Sequence, residues 1–161
     1  MIGKLSSTGT VSFFNSAGTT HLIADVTGWF PDNAELTSLT PARLLETRVG
    51  TGFVTIDGQS QGTGRLAART DFDLPVAGRG GVPLTGAGAV VLNVTATNPS
   101  GVGFLQVWPS GSTRPNASNL NYVKGQNIAN LVIAKLGANG KVSLYSWLDT
   151  DAVVDVVGWL P

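Results

Sequence analysis

Ala89-Val90-Val91-Leu92-Asn93-Val94-Thr95-Ala96-Thr97, then Asn98-Pro99-Ser100-Gly101, then Gly103-Phe104-Leu105-Gln106-Val107-Trp108, is the stretch that decides the fold class. Two runs rich in β-branched and aromatic residues flank a cluster of turn formers, the pattern of strand, turn and strand. The same rhythm continues downstream. Residues 128–136 read as a strand, and Ala138-Asn139-Gly140 follows. Asn-Gly tolerates positive φ at both central positions of a type I′ turn, so a hairpin is expected there. Residues 141–146 alternate polar and apolar, and residues 152–157 close the pattern. Short strands at this spacing give an all-β fold, a sandwich or short barrel of antiparallel strands. No segment sustains a 3.6-residue apolar period, and residues 41–47 are expected to hold one helical turn at most.

The chain also repeats itself. Ile2-Gly-Lys-Leu-Ser-Ser-Thr-Gly-Thr-Val-Ser-Phe-Phe14 matches Ile133-Ala-Lys-Leu-Gly-Ala-Asn-Gly-Lys-Val-Ser-Leu-Tyr145 at an offset of 131 residues. Asp25-Val-Thr-Gly-Trp-Phe-Pro31 matches Asp155-Val-Val-Gly-Trp-Leu-Pro161 at an offset of 130. Residues 2–31 are thus an extra copy of a terminal hairpin at 133–161, and residues 39–161 form the repeat unit. Three arrangements fit. The copy is the tail of a preceding unit in a tandem array, or it completes one pseudo-symmetric domain over residues 1–161, or it adds to the edge of another chain. The second is favoured, because a lone hairpin carrying Phe13, Phe14, Ile23, Val26, Trp29 and Phe30 is unstable. Burying each such side chain is worth about 1.5–3 kcal/mol.

Composition excludes several classes. Charged residues make up 12% of 161 positions, about half the usual share, and ten Lys and Arg balance ten Asp and Glu. A nucleic-acid binder needs a basic patch, and a polybasic membrane anchor needs the same. Hydrophobic residues reach 42%, too many for a disordered chain of zero net charge. With no cysteine there is no disulfide framework, thiolate metal site or cysteine nucleophile. His21 is the one histidine, so multi-histidine metal sites are excluded. No run of 18 apolar residues exists, so no membrane insertion by a helix is expected. Neither a basic n-region nor an apolar h-region is visible after Met1, so no signal peptide is expected within these residues.

The middle of the chain carries a succession of motifs. These are Leu39-Thr-Pro-Ala-Arg-Leu-Leu-Glu-Thr-Arg48, Val76-Ala-Gly-Arg-Gly-Gly-Val-Pro83, the 89–97 and 103–109 runs, and Arg114-Pro-Asn-Ala-Ser-Asn-Leu-Asn121. With the Asp-Val-x-Gly-Trp endings, they resemble a repeated β-rich module of secreted and cell-surface actinobacterial proteins. Glu46 stands where that pattern more often has Asp, and residues 147–151 depart from its usual Asn-Ser-Ala-Gly-like turn. The resemblance implies a non-catalytic accessory or structural role, as a spacer or adhesion repeat. It also implies an extracellular or cell-surface location, with neighbouring repeat units or self-association as partners. It supplies no catalytic residues and no ligand.

Arg43, Glu46 and Arg48 group together in a charge-poor chain, and Asp25 and Asp155 sit at equivalent places in apolar strands. Burying a carboxylate is costly without a partner. Arg43 and Arg48 are therefore expected to clamp one aspartate each in structural ion pairs, with Asp25 facing inward in phase with Ile23. Asp71 and Asp73 share one strand face and read as a solvated face instead of a glycosidase pair. Asp149 and Asp151, with Asp57 or Asn139, offer oxygen ligands but lack a calcium-loop pattern, so no metal or other cofactor is expected. The Gly78-Arg-Gly-Gly81 segment reads as a turn or bulge. Trp147, Tyr122, Asn116, Asn119 and Asn121 are the candidate ligand-binding residues, since flat apolar rings and amides suit neutral sugars. Backbone capping is the competing role for the asparagines. A carbohydrate-binding module that targets a hydrolase to cell-wall or other polysaccharide is the alternative function. An enzyme ranks third, because no constellation of catalytic residues emerges.

Overall fold

The computed structural model describes residues 6–15, 17–22, 24, 26, 29 and 35–161. The chain divides into two units, Met1–Asp32 and Asn33–Pro161. The second holds eight strands: β1 (Thr37–Glu46), β2 (Asp71–Pro75), β3 (Ala89–Thr97), β4 (Gly103–Pro109), β5 (Leu120–Tyr122), β6 (Ile128–Lys135), β7 (Lys141–Ser146) and β8 (Asp151–Leu160). They form two antiparallel four-stranded sheets, ordered β1-β8-β3-β6 and β2-β7-β4-β5. Inward side chains of both sheets share one core. Leu44, Val90, Leu92, Val94, Val154 and Val156 come from the first sheet, and Leu74, Leu105, Val142 and Leu144 from the second. The fold is a β-sandwich. Among the described strands, β1 and β6 stay the edges of one sheet and β2 and β5 of the other, so no barrel closes.

Residues 41–47, read as holding one helical turn at most, hold none: residues 41–46 are the second half of β1. Pro41 donates no ladder hydrogen bond, and an edge strand such as β1 tolerates that. Register shifts on either side of Ala42 and Arg43 mark bulges in the same strand.

The Asn139-Gly140 turn has the expected backbone, with φ of 58° and 67°. Gly140 N–H donates to Gly137 O at 3.1 Å, and Gly137 N–H to Lys141 O at 2.8 Å. It joins β6 to β7, however, and these lie in different sheets. Nor do β7 and β8 pair: β7 runs between β2 and β4, and β8 between β1 and β3. The segment expected as a terminal hairpin is a double crossing between sheets. β7 and β8 are each central and already have a neighbour on both edges, which leaves neither an edge free for the other.

In Met1–Asp32 no strand occurs among the described residues. A turn at Ser6 to Thr10 is closed by backbone hydrogen bonds, and Phe14, Val26 and Trp29 are exposed. Ile23, Asp25 and Phe30 lie outside the described residues.

Candidate functional site

The short edge strand β5 borders an open groove of the Asn33–Pro161 unit. Beyond Tyr122 the chain turns away, with Gln126 N–H donating to Val123 O at 3.1 Å. Gly125 N–H donates to Pro99 O at 2.9 Å and ties this turn to the β3–β4 loop. The space left is an open groove of about 520 Å³ lined by Val102, Gly103, Phe104, Asn121, Tyr122, Val123, Gln126, Ile128 and Trp147. Gly103 is required here, because a Cβ would come within 2.8 Å of the Tyr122 ring.

Three sequence-selected residues meet at this groove: Trp147, Tyr122 and Asn121. Their parts differ. Trp147 N–H donates to Phe104 O at 3.0 Å, which carries the ladder one residue past β7 and sets the indole beside Phe104. The two rings stack with centroids 5.5 Å apart, and the Arg69 guanidinium lies 4.3 Å from the indole centroid. Trp147 remains 38% exposed. Tyr122 is buried as the floor. Its hydroxyl bonds Ser146 Oγ at 2.7 Å and accepts from Leu148 N–H at 3.1 Å. Asn121 is exposed, opposite Phe104 in the β4–β5 register, and its amide has no partner among the described hydrogen bonds.

Asn116 and Asn119 fall elsewhere. Asn119 Oδ1 accepts from Val107 N–H at 2.7 Å, and its own N–H donates to Leu105 O. It continues the β5–β4 pairing where the strand stops. Asn116 is exposed in the loop that crosses the outer face of this sheet. That loop is pinned by Gln106 Nε2, which donates to Pro115 O and Ala117 O, and by Arg114 over the Tyr145 ring at 3.9 Å. The Arg114-Pro-Asn-Ala-Ser-Asn motif therefore roofs a sheet face.

The charged group follows a different plan. Arg43 and Asp155 are cross-strand partners, and Arg43 Nε donates to Asp155 Oδ1 at 2.9 Å. Asp155 is on the outer face: the inward residues of β8 are Ala152, Val154 and Val156. The inward placement expected for Asp25 from its phase with Ile23 falls on residues outside those described. Arg48 serves Glu46 instead of an aspartate, donating from Nε to Oε1 at 2.8 Å and from Nη2 to Oε2 at 2.7 Å. Arg43 Nη1 reaches the same carboxylate at 3.0 Å. Asp25, the other expected partner, lies outside the described residues. Burial raises the Glu46 pKa, but the Arg48 hydrogen bonds and the two positive charges outweigh it, and the net shift is downward.

The 78–81 segment holds what sequence reading missed. Arg79 is buried and donates to Asp57 from Nε and Nη2, to Leu44 O and Gln59 O from Nη2, and to Pro75 O from Nη1. The Arg79 hydrogen bond holds the Asp57 carboxyl down to about 2. Asp71 and Asp73 share the outer face of β2. Asp73 accepts from Ser143 Oγ at 2.6 Å, which lowers its pKa. Asp149 and Asp151 separate, one accepting from Ala68 N–H and the other from Thr47 Oγ1. Among the described residues no three acidic or histidine side chains group as metal ligands.

No protein-family model matches this sequence, and a search of curated proteins returns no significant relative.

Proposed function

We propose that this chain is a non-catalytic accessory module of an extracellular or cell-surface protein, and that the groove beside Trp147 retains a neutral polysaccharide. The observation that carries the reading is the stacked Trp147–Phe104 pair at an open groove beside the unpaired Asn121 amide. Indole and phenyl rings cover the apolar faces of pyranose rings, and an amide both donates and accepts to hydroxyls. The extracellular part rests on the motif resemblance. The non-catalytic part rests on the motif resemblance and on the engagement of the acids: Glu46 is held by Arg48 and Arg43, Asp57 by Arg79 and Asp73 by Ser143.

A structural spacer or adhesion repeat is the second reading, favoured by the duplicated terminal segment. Retention on insoluble polysaccharides separates the two. The binding reading expects retention by at least one neutral polymer and its loss in Trp147→Ala. Absence of retention on all of them, or equal retention of the variant, favours the spacer.

A further inference from the structure

We infer that residues 2–31 are a second β7–β8 pair, interchangeable with residues 133–161 in the sockets of the sandwich. The sockets are demanding. β7 lies between β2 and β4 and β8 between β1 and β3, so any occupant must satisfy two neighbours in each sheet. The copy keeps the residues these positions select. Gly28 stands for Gly158, where a Cβ would come within 3.0 Å of Thr37 O. Asp25 stands for Asp155, the acceptor of Arg43 Nε. Ser12 stands for Ser143, which donates to Asp73, and Val11 and Val26 stand for the buried Val142 and Val156.

The turns agree as well. Gly9 N–H donates to Ser6 O at 3.0 Å and Ser6 N–H to Thr10 O at 2.9 Å, the same two bonds that close residues 137–141. Gly9 has φ 74° where Gly140 has 67°. The chain can also make the connection. Thr37 is the register partner of Trp159, so Trp29 in that place would be joined to Thr37 by residues 30–36, a seven-residue connection long enough to span neighbouring strands.

Two departures make residues 133–161 the better occupant. Ser6 replaces Gly137, where a Cβ would land on the Ser110 backbone. Leu22 and Ala24 replace Ala152 and Val154, opposite size changes at neighbouring inward positions.

The test disables the preferred occupant. Val154→Asp with Val156→Asp places two carboxylates in the core. It is made in the full chain and in residues 33–161, which contain all eight strands. The full chain is examined with and without Ser6→Gly, which removes the clash at Ser110. A further pair, Thr95→Cys with Ile23→Cys, reports seating, because Thr95 opposes Val153 and the chain has no other cysteine. The expected result is a cooperative thermal transition and a 23–95 disulfide in the full chain, with neither transition nor β-sheet signal in residues 33–161. Loss of the transition in the full chain both with and without Ser6→Gly, or a retained transition with no 23–95 disulfide, overturns the inference.

Discussion

Arg79 holds Asp57 with two parallel hydrogen bonds, Nε to Oδ2 at 2.7 Å and Nη2 to Oδ1 at 2.8 Å. The same guanidinium reaches the carbonyls of Leu44, Gln59 and Pro75. One buried side chain thereby joins β1, the end of β2 and the loop between them. Removing it strips five hydrogen bonds at once; Asp57 keeps only the Gln59 backbone and side-chain N–H donors, and the Gln59 carbonyl only Thr55 Oγ1. Arg79→Ala is expected to cost about 3 kcal/mol in urea unfolding, since breaking a buried pair costs more than the pair contributes. Arg79→Lys keeps the charge but not the fork, and should recover only part of the loss.

The same pair sets an acid limit. Asp57 has its carboxyl near 2 in the folded protein against an ordinary value of 3.8. A depressed carboxylate contributes stability that is fully present above the unfolded value and is lost as pH falls through the folded one. Unfolding free energy should therefore decline from about pH 4 toward pH 2, and Glu46, also lowered, adds in the same direction. In Asp57→Asn the decline should be shallower. An unchanged slope in urea titrations across that range would count against the Asp57 assignment.

Glycines at the sheet crossings are steric requirements. At Gly137 a Cβ would collide with the Ser110 backbone, and at Gly80 it would sit 2.8 Å from Val156 Cγ1 with φ at +56°. Gly137→Ala is expected to cost about 3 kcal/mol from overpacking alone, and Gly80→Ala about 2 kcal/mol, where overpacking and a left-handed φ combine. At Gly58, where nothing lies within 4 Å, the Ala substitution carries only the φ penalty. Thermal denaturation of the three variants should rank them in that order.

Tyr122 separates support from contact in the groove. Its ring forms the floor, and its hydroxyl is committed to Ser146 and Leu148. Tyr122→Phe should cost about 1 kcal/mol of stability and leave polysaccharide retention unchanged. Loss of retention in a folded Tyr122→Phe protein would move the hydroxyl from scaffold to ligand contact.

Legibility in the sequence followed how singly each residue was constrained. β3 and β4 could be read because a four-residue turn cluster separates two apolar runs, and β7 because polar and apolar residues alternate. β1 was hidden by Pro41 and by Arg43 and Glu46, which an edge strand admits. β5 was hidden by its three residues, one of them the outward Asn121. The orientation of Asp155 was illegible because Val153 and Val154 face opposite ways with the same side chain. Asn139-Gly140 announced its backbone but not which strands it joins, since local φ preferences carry no information on sheet membership. At the groove, Trp147 and Asn121 stood out as an aromatic and an amide in unusual segments, and the Phe104 ladder brings them together. Asn119 looked the same in sequence and is absorbed by a strand end. Arg79 sits in a glycine-rich segment whose sequence reads only as a turn or bulge. A lone arginine between glycines in a chain with few charges, and an Asp57 with no assigned partner, were the signals available.

The most direct test is a titration of the isotope-labelled full chain with soluble neutral oligosaccharides, followed by NMR. The account predicts saturable shifts at the Trp147 indole N–H, the Asn121 and Gln126 side-chain amides and the Val102 and Val123 backbone, all abolished by Trp147→Ala. Saturable shifts confined to another surface, or none with any neutral oligosaccharide, would contradict it.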